Sequence, residues 1–128
     1  MVSLDTTFVV DFLNGYPAAV ERFQRLESDR SVVCISPPAA SEVLVGASGG
    51  GPQHLRAAEE FLRALNWLEF DWESCRLAGR IGSELSARGE PLSAADLFIA
   101  AVALRHGHSL LTRDRAFARV RGLSVETY

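Results

Sequence analysis

The sequence predicts an α/β domain: a central, mostly parallel sheet of four to five strands with helices on both faces, three layers in all. Three observations carry this. Short apolar segments alternate with longer helical ones along the whole chain. Most of the short segments, "SVVCIS" among them, are apolar without a period of two, as in strands covered on both faces. The length of 128 residues, with 48% hydrophobic and 23% charged side chains, suits one domain over residues 1–128 with a real core. The chain shows no internal repeat, low-complexity segment or linker.

"VSL" at residues 2–4 reads as the first strand. "TTFVVDFLNG" follows as a helix that Gly15 stops, and Pro17 opens a second helix, "YPAAVERFQRLESD". In that helix Ala19, Val20, Phe23 and Leu26 are expected to face the core, and Glu21, Arg22 and Arg25 to face water. "SVVCIS" is a second strand. "SPPAASEVLVGAS" is a third helix, with Ser36 as N-cap and prolines in its first turn. The glycine-rich loop ends it. "PQHLRAAEEFLRALN" is a fourth helix with Leu55, Ala58, Phe61, Leu62 and Leu65 apolar, and "WLEFD" a short strand. "WESCRLAGRIGSELSARG" is a fifth helix with Cys75, Ala78, Ile81 and Leu85 turned inward, and "LSAADLFIAAVALRHG" a sixth. "SLLTRD" is a strand, "RAFARV" a short helix and "LSVETY" the last strand.

Composition excludes several functions. No apolar run reaches the ~18 residues that span a bilayer. The start, "MVSLDTTFVVDFL", lacks a basic region and meets Asp5 and Asp11 early, unlike a signal peptide. Cys34 and Cys75 are far apart; both are expected to be buried free thiols, which suits a reducing cytoplasm. All 13 basic residues are arginine. Without lysine, "GASGGGP" cannot be a Walker phosphate loop and no Schiff base can form. The net charge of −3 does not advertise nucleic-acid binding, yet Thr112–Gly122 carries four arginines against one aspartate. A patch of that kind fits either a solvated helix or a phosphate ligand.

Ligands of open α/β sheets bind beyond the carboxyl ends of the strands. Asp5 follows the first strand there, and Asp114 follows "SLLTR". Glu42 lies a turn and a half into the helix after "SVVCIS". Asp96 is the lone charge between Pro91 and Leu104. Asp5 and Asp114 also fit as helix caps, and Ser93 with Asp96 resembles a capping box. Glu42 is too deep to cap and its neighbours are "VLV". The helix that Asp96 opens is apolar nearly all round, and a carboxylate buried with it needs a partner. Arg105 is too far up the same helix, about 13 Å at 1.5 Å per residue. Four carboxylates at one end of a sheet repel unless a divalent cation joins them. An all-oxygen set suits Mg²⁺ or Mn²⁺, and the chemistry that follows is phosphodiester hydrolysis.

"LDTTFVVDFLNG", "SPPAASEVLVGA", "LSAADLFIAAVALRHGHSLLTRDRAF" and "GLSVETY" resemble, in order, the segments of PIN-domain proteins, and most closely the VapC-type toxins of toxin–antitoxin pairs. The third segment is the most specific. The resemblance implies an acidic catalytic site at Asp5, Glu42, Asp96 and Asp114. It further implies an Mg²⁺- or Mn²⁺-dependent endoribonuclease leaving a 3′-hydroxyl and a 5′-phosphate, a homodimer, and inhibition by a VapB-like antitoxin whose tail enters the cleft. Asp5 and Asp96 are then the principal metal ligands. Asp114 joins the metal set and, like Glu42, acts through water, orients the attacking water or helps hold a second ion. Thr7 and Thr112 would fix carboxylate orientation, although Thr112 also fits a plain N-cap. Arg113 and Arg115 would hold RNA phosphates or the antitoxin.

Two positions depart from the usual pattern. Thr7 stands where many relatives carry Asn or Ser, and Ala116 where many carry a further acid, which favours one metal over two. His106 reads as a helix C-terminal residue, and His106 with His108 as a weak metal pair. Trp67 and Trp72 read as core rather than base-stacking residues. Two alternatives stand beside the nuclease: a PIN-fold binding module without activity, and a haloacid-dehalogenase-like phosphatase. The latter wants a second Asp at Thr7 and a lysine the chain does not have.

Overall fold

The computed structural model describes all 128 residues. Strand β1 (Val2–Leu4) leads to helices α1 (Thr6–Leu13) and α2 (Pro17–Ser28), then to β2 (Val33–Ile35). Helices α3 (Pro37–Ser48) and α4 (Pro52–Ala64) lead to β3 (Asn66–Trp67). Helices α5 (Trp72–Ala87) and α6 (Ala94–Arg105) return to β4 (Ser109–Leu111). A 3₁₀ turn (Arg115–Arg119) precedes β5 (Val125–Glu126).

The five strands pair in the order β3-β2-β1-β4-β5, every pair parallel. The chain therefore builds outward from β1 on one side, crosses back through α5 and α6, and builds outward on the other. The order reverses between β1 and β4, so the crevice beyond their carboxyl ends is the topological switch point. Right-handed crossovers in opposite directions put helices on both faces.

The inner strands are three residues long and almost wholly buried. Leu4, Ile35, Leu110 and Leu111 are wholly buried, with Phe8 and Phe117 against them. Helix α6 is buried along Ile99–Ala103, where three alanines let neighbours approach closely. A side chain on Gly82 of α5 would meet Leu97 Cδ2 at 3.0 Å, which is how near α5 and α6 come. Phe12, Phe23 and Phe61 join α1, α2 and α4 in one aromatic cluster with centroids 4.7–5.4 Å apart.

Several expectations are corrected. Cys75 is exposed, unlike Cys34. The inward stripe of α5 is Ser74, Ala78, Ile81 and Leu85, and Cys75 lies about 100° round the helix from Ser74. Trp67 and Trp72 are 50% and 73% exposed rather than core. The first lies on the two-residue edge strand, its indole N–H donating to Leu62 O at 2.9 Å; the second opens α5. The strand expected over "WLEFD" is confined to Asn66–Trp67. Arg22 is half-buried, held by Glu126 at 2.7 Å, because β5 comes over the α2 side.

Candidate active site at the sheet switch point

Asp5 is the residue after β1 and is 1% exposed. Its backbone N–H donates to Leu111 O at 3.1 Å, which ties the exits of β1 and β4 together. It does not cap α1 with its side chain. Instead Oδ2 accepts from Thr112 Oγ1 at 2.6 Å and from Thr7 Oγ1 at 2.8 Å. Oδ1 is buried with no hydrogen-bond partner. Burial pushes the Asp5 carboxyl above the ordinary range, against the two hydroxyls that favour its charged form. Thr7 and Thr112 thus both donate to the same Asp5 oxygen. Thr112 also accepts from Asp114 N at 3.0 Å, so it shapes the turn that presents Asp114.

Asp96 stands in the first turn of α6, which Ser93 caps by accepting from Asp96 N at 3.2 Å. The capping geometry and the site geometry coexist: the cap fixes the backbone and leaves the carboxylate at the helix entrance. Burial pushes the Asp96 carboxyl up, and the charges of Asp5, Asp114 and Glu42 push it further. All three charges are thus near enough to be felt at Asp96. Asp114 caps the 3₁₀ turn, its Oδ1 accepting from Ala116 N at 2.9 Å. Glu42 is exposed: α3 turns Val43 inward and Glu42 outward, where it accepts from Thr6 Oγ1 at 2.7 Å. The sequence reading missed Thr6, although it lies beside Thr7 at the same helix entrance.

Nowhere do three His, Cys, Asp or Glu side chains already converge as a finished ligand cage. The donor set still fits a hard cation. A buried carboxylate oxygen without a partner is costly, and nothing donates to Asp5 Oδ1. Asp5 and Asp96 would hold such an ion, with Asp114 and Glu42 completing its surroundings.

Arg113 is already engaged: it grips Asp11 through Nε at 2.6 Å and Nη2 at 3.2 Å. Arg115 makes no ion pair and is exposed. The histidines stay structural. His106 Nε2 lies 3.1 Å from Glu69 O, and the buried His108 Nδ1 lies 3.1 Å from Ser3 Oγ. A largely apolar groove of about 900 Å³ opens beside Glu42 and Ala95, lined by Pro37, Val45, Phe70 and Phe98. On α3, Ala39, Ala40, Val43 and Ala47 serve the core, while Val45 is 78% exposed.

The fold is a parallel α/β domain whose acidic side chains Asp5, Asp96 and Asp114 stand at the carboxyl end of its sheet. The family model for the PIN domain matches residues 2–123, and the chain belongs to that family. It is 30% identical over 128 residues to the tRNA(fMet)-specific endonuclease VapC of Shigella flexneri, covering 98% of this chain and 96% of that one. A DNA-bound VapBC structure from Salmonella typhimurium superposes with a TM-score of 0.89 at 27% identity, covering 98% and 96% of the two chains. A Rickettsia felis VapBC complex bound to a promoter DNA fragment gives the same TM-score at 24% identity, covering 100% and 99%, which speaks to the fold alone.

Proposed function

We propose that this chain is a divalent-metal-dependent endoribonuclease, the toxin of a type II toxin–antitoxin pair, with Asp5, Glu42, Asp96 and Asp114 as its working carboxylates. The observation that carries the reading is Asp5: a buried carboxylate, held by two hydroxyls, whose second oxygen is unpartnered at the switch point. Its similarity to VapC ribonucleases supports RNA as the substrate, and its likeness to VapBC complexes supports a VapB-like antitoxin as the partner. Nucleases of this kind generally depend on a divalent metal. Mg²⁺ or Mn²⁺ suits the oxygen-only site.

A bound divalent cation would supply Lewis acidity at the scissile phosphate and lower the pKa of a nearby water. Thr7 and Thr112 hold Asp5 at one angle, so the ligand oxygen is preorganised. The Ser93 cap holds Asp96 across the crevice from it. Glu42, which accepts from Thr6, would orient the attacking water and receive its proton. Arg115 is the free guanidinium beside Asp114 and is suited to a backbone phosphate. The apolar groove beside Glu42 supports an apolar antitoxin segment seated next to the site.

The domain spans residues 1–128, works as a homodimer and acts in the cytoplasm. Two free cysteines support a reducing compartment. The test is cleavage of RNA by purified protein with Mn²⁺ or Mg²⁺, followed by end sequencing. Metal-dependent cuts with 5′-phosphate ends, absent with Asp96→Asn, are expected. Cutting that survives that change, or that ignores chelator, sinks the assignment.

A further inference from the structure

Three residues outside the carboxylate ring form a clasp on it. Asp11 lies on α1 four positions after Thr7, so both share one face of that helix. Its Oδ2 accepts from Arg113 Nε at 2.6 Å and from the Tyr128 hydroxyl at 2.7 Å, while Oδ1 accepts from Arg113 Nη2 at 3.2 Å. The Tyr128 ring packs edge-on against Phe8, with centroids 4.9 Å apart. Phe8 is wholly buried and directly follows Thr7. Arg113 sits between Thr112, which donates to Asp5, and Asp114, which faces Asp96. Thr112 N also donates to Glu126 O at 2.9 Å, so β5 and Tyr128 brace the same turn.

From this geometry we infer that Asp11, Arg113 and Tyr128 are positioning residues: together they lock the exit of β4 onto α1 and so set the angle at which Thr112 presents Asp5 to a divalent ion. The inference rests on the metal-site reading above. It removes Arg113 from substrate contact, because its fork is filled by a carboxylate with which it makes a bidentate, charge-assisted pair. It also gives the final residue of the chain a task in a site built mainly from β1 and β4.

The experiment is calorimetric titration of Mn²⁺ into wild type, Tyr128→Phe, Asp11→Asn, Arg113→Gln and Asp96→Asn, with kcat and KM for RNA measured alongside. Tyr128→Phe keeps the ring on Phe8 and removes only the hydroxyl. The clasp variants are expected to bind Mn²⁺ about tenfold more weakly, in the range of lost outer-shell partners, with kcat lowered and KM for RNA unchanged. Lower melting temperature with wild-type Mn²⁺ affinity would make the clasp a stability feature and overturn the inference while leaving the metal site standing. A raised KM in Arg113→Gln at unchanged Mn²⁺ affinity would return Arg113 to phosphate binding and overturn it equally. Wild type that binds no Mn²⁺ would remove the metal site itself, and the clasp's task with it.

Discussion

At the scale of single residues, the crevice is a place where charge is held against its own preference. Asp96 is penalised by burial and by three neighbouring carboxylates. Replacing it with Asn relieves that repulsion, so the metal-free variant should melt higher than wild type while losing the Mn²⁺-induced shift. Differential scanning fluorimetry with and without Mn²⁺ reads both effects, and a variant that melts lower without metal would contradict the repulsion argument. Thr112 is the partner that makes Asp5 usable. Thr112→Val keeps the shape and removes the hydroxyl, and should weaken Mn²⁺ binding about 10–100-fold. Unchanged affinity would mean that Thr7 alone orients Asp5.

At the scale of elements, α6 is the stiff rod behind Asp96. Ile99 is buried one turn below it, so Ile99→Ala should cost about 2–5 kcal/mol in urea unfolding. The start of α5 is pinned by Asp71, which caps Ser74 N at 3.0 Å and pairs with Arg105 from the end of α6 at 3.0 Å. The Ser74 amide and then the Arg105 guanidinium lower its carboxyl to about 2. A lowered folded-state value means the contribution is present above the unfolded value near ~3.9 and is lost as pH falls through about 2. The melting difference between wild type and Asp71→Asn should therefore be flat from neutral pH to mildly acid and close as pH drops below ~3.9. A gap that widened in acid would reverse the sign and refute the assignment.

At the scale of the whole molecule, the switch point couples folding to ligation. A cation that binds only the folded chain stabilises it by about 2.7 kcal/mol at a hundredfold excess over Kd. Mn²⁺ should therefore raise the melting temperature by several degrees in wild type, reversibly on chelation. The fold class and most element types were legible beforehand, because apolar strands and helical periods are local signals. The candidate carboxylates stood out in the sequence, since Asp5 directly follows a strand, Asp114 comes three residues after one and Asp96 interrupts an apolar run. Less legible were side-chain faces. Cys75 fell on the outer side of its helix, and the tryptophans fell at an edge strand and a helix start, where side chains stay uncovered.

The sequence by itself determined the alternation of strand and helix and the parallel sheet, which follow from periodicity and turn chemistry within a few positions. It also singled out Asp5, Glu42, Asp96 and Asp114 as candidates by residue type and position, and the family resemblance added Thr7 and Thr112. Only the tertiary structure decided that Asp5 keeps one oxygen unpartnered and that Arg113 is spent on Asp11. The same is true of Tyr128, which reaches across 117 positions to complete that pair. Hydrogen bonds of this kind depend on where packing brings distant segments together. No local pattern encodes that distance, because the core, not the neighbouring residues, fixes it.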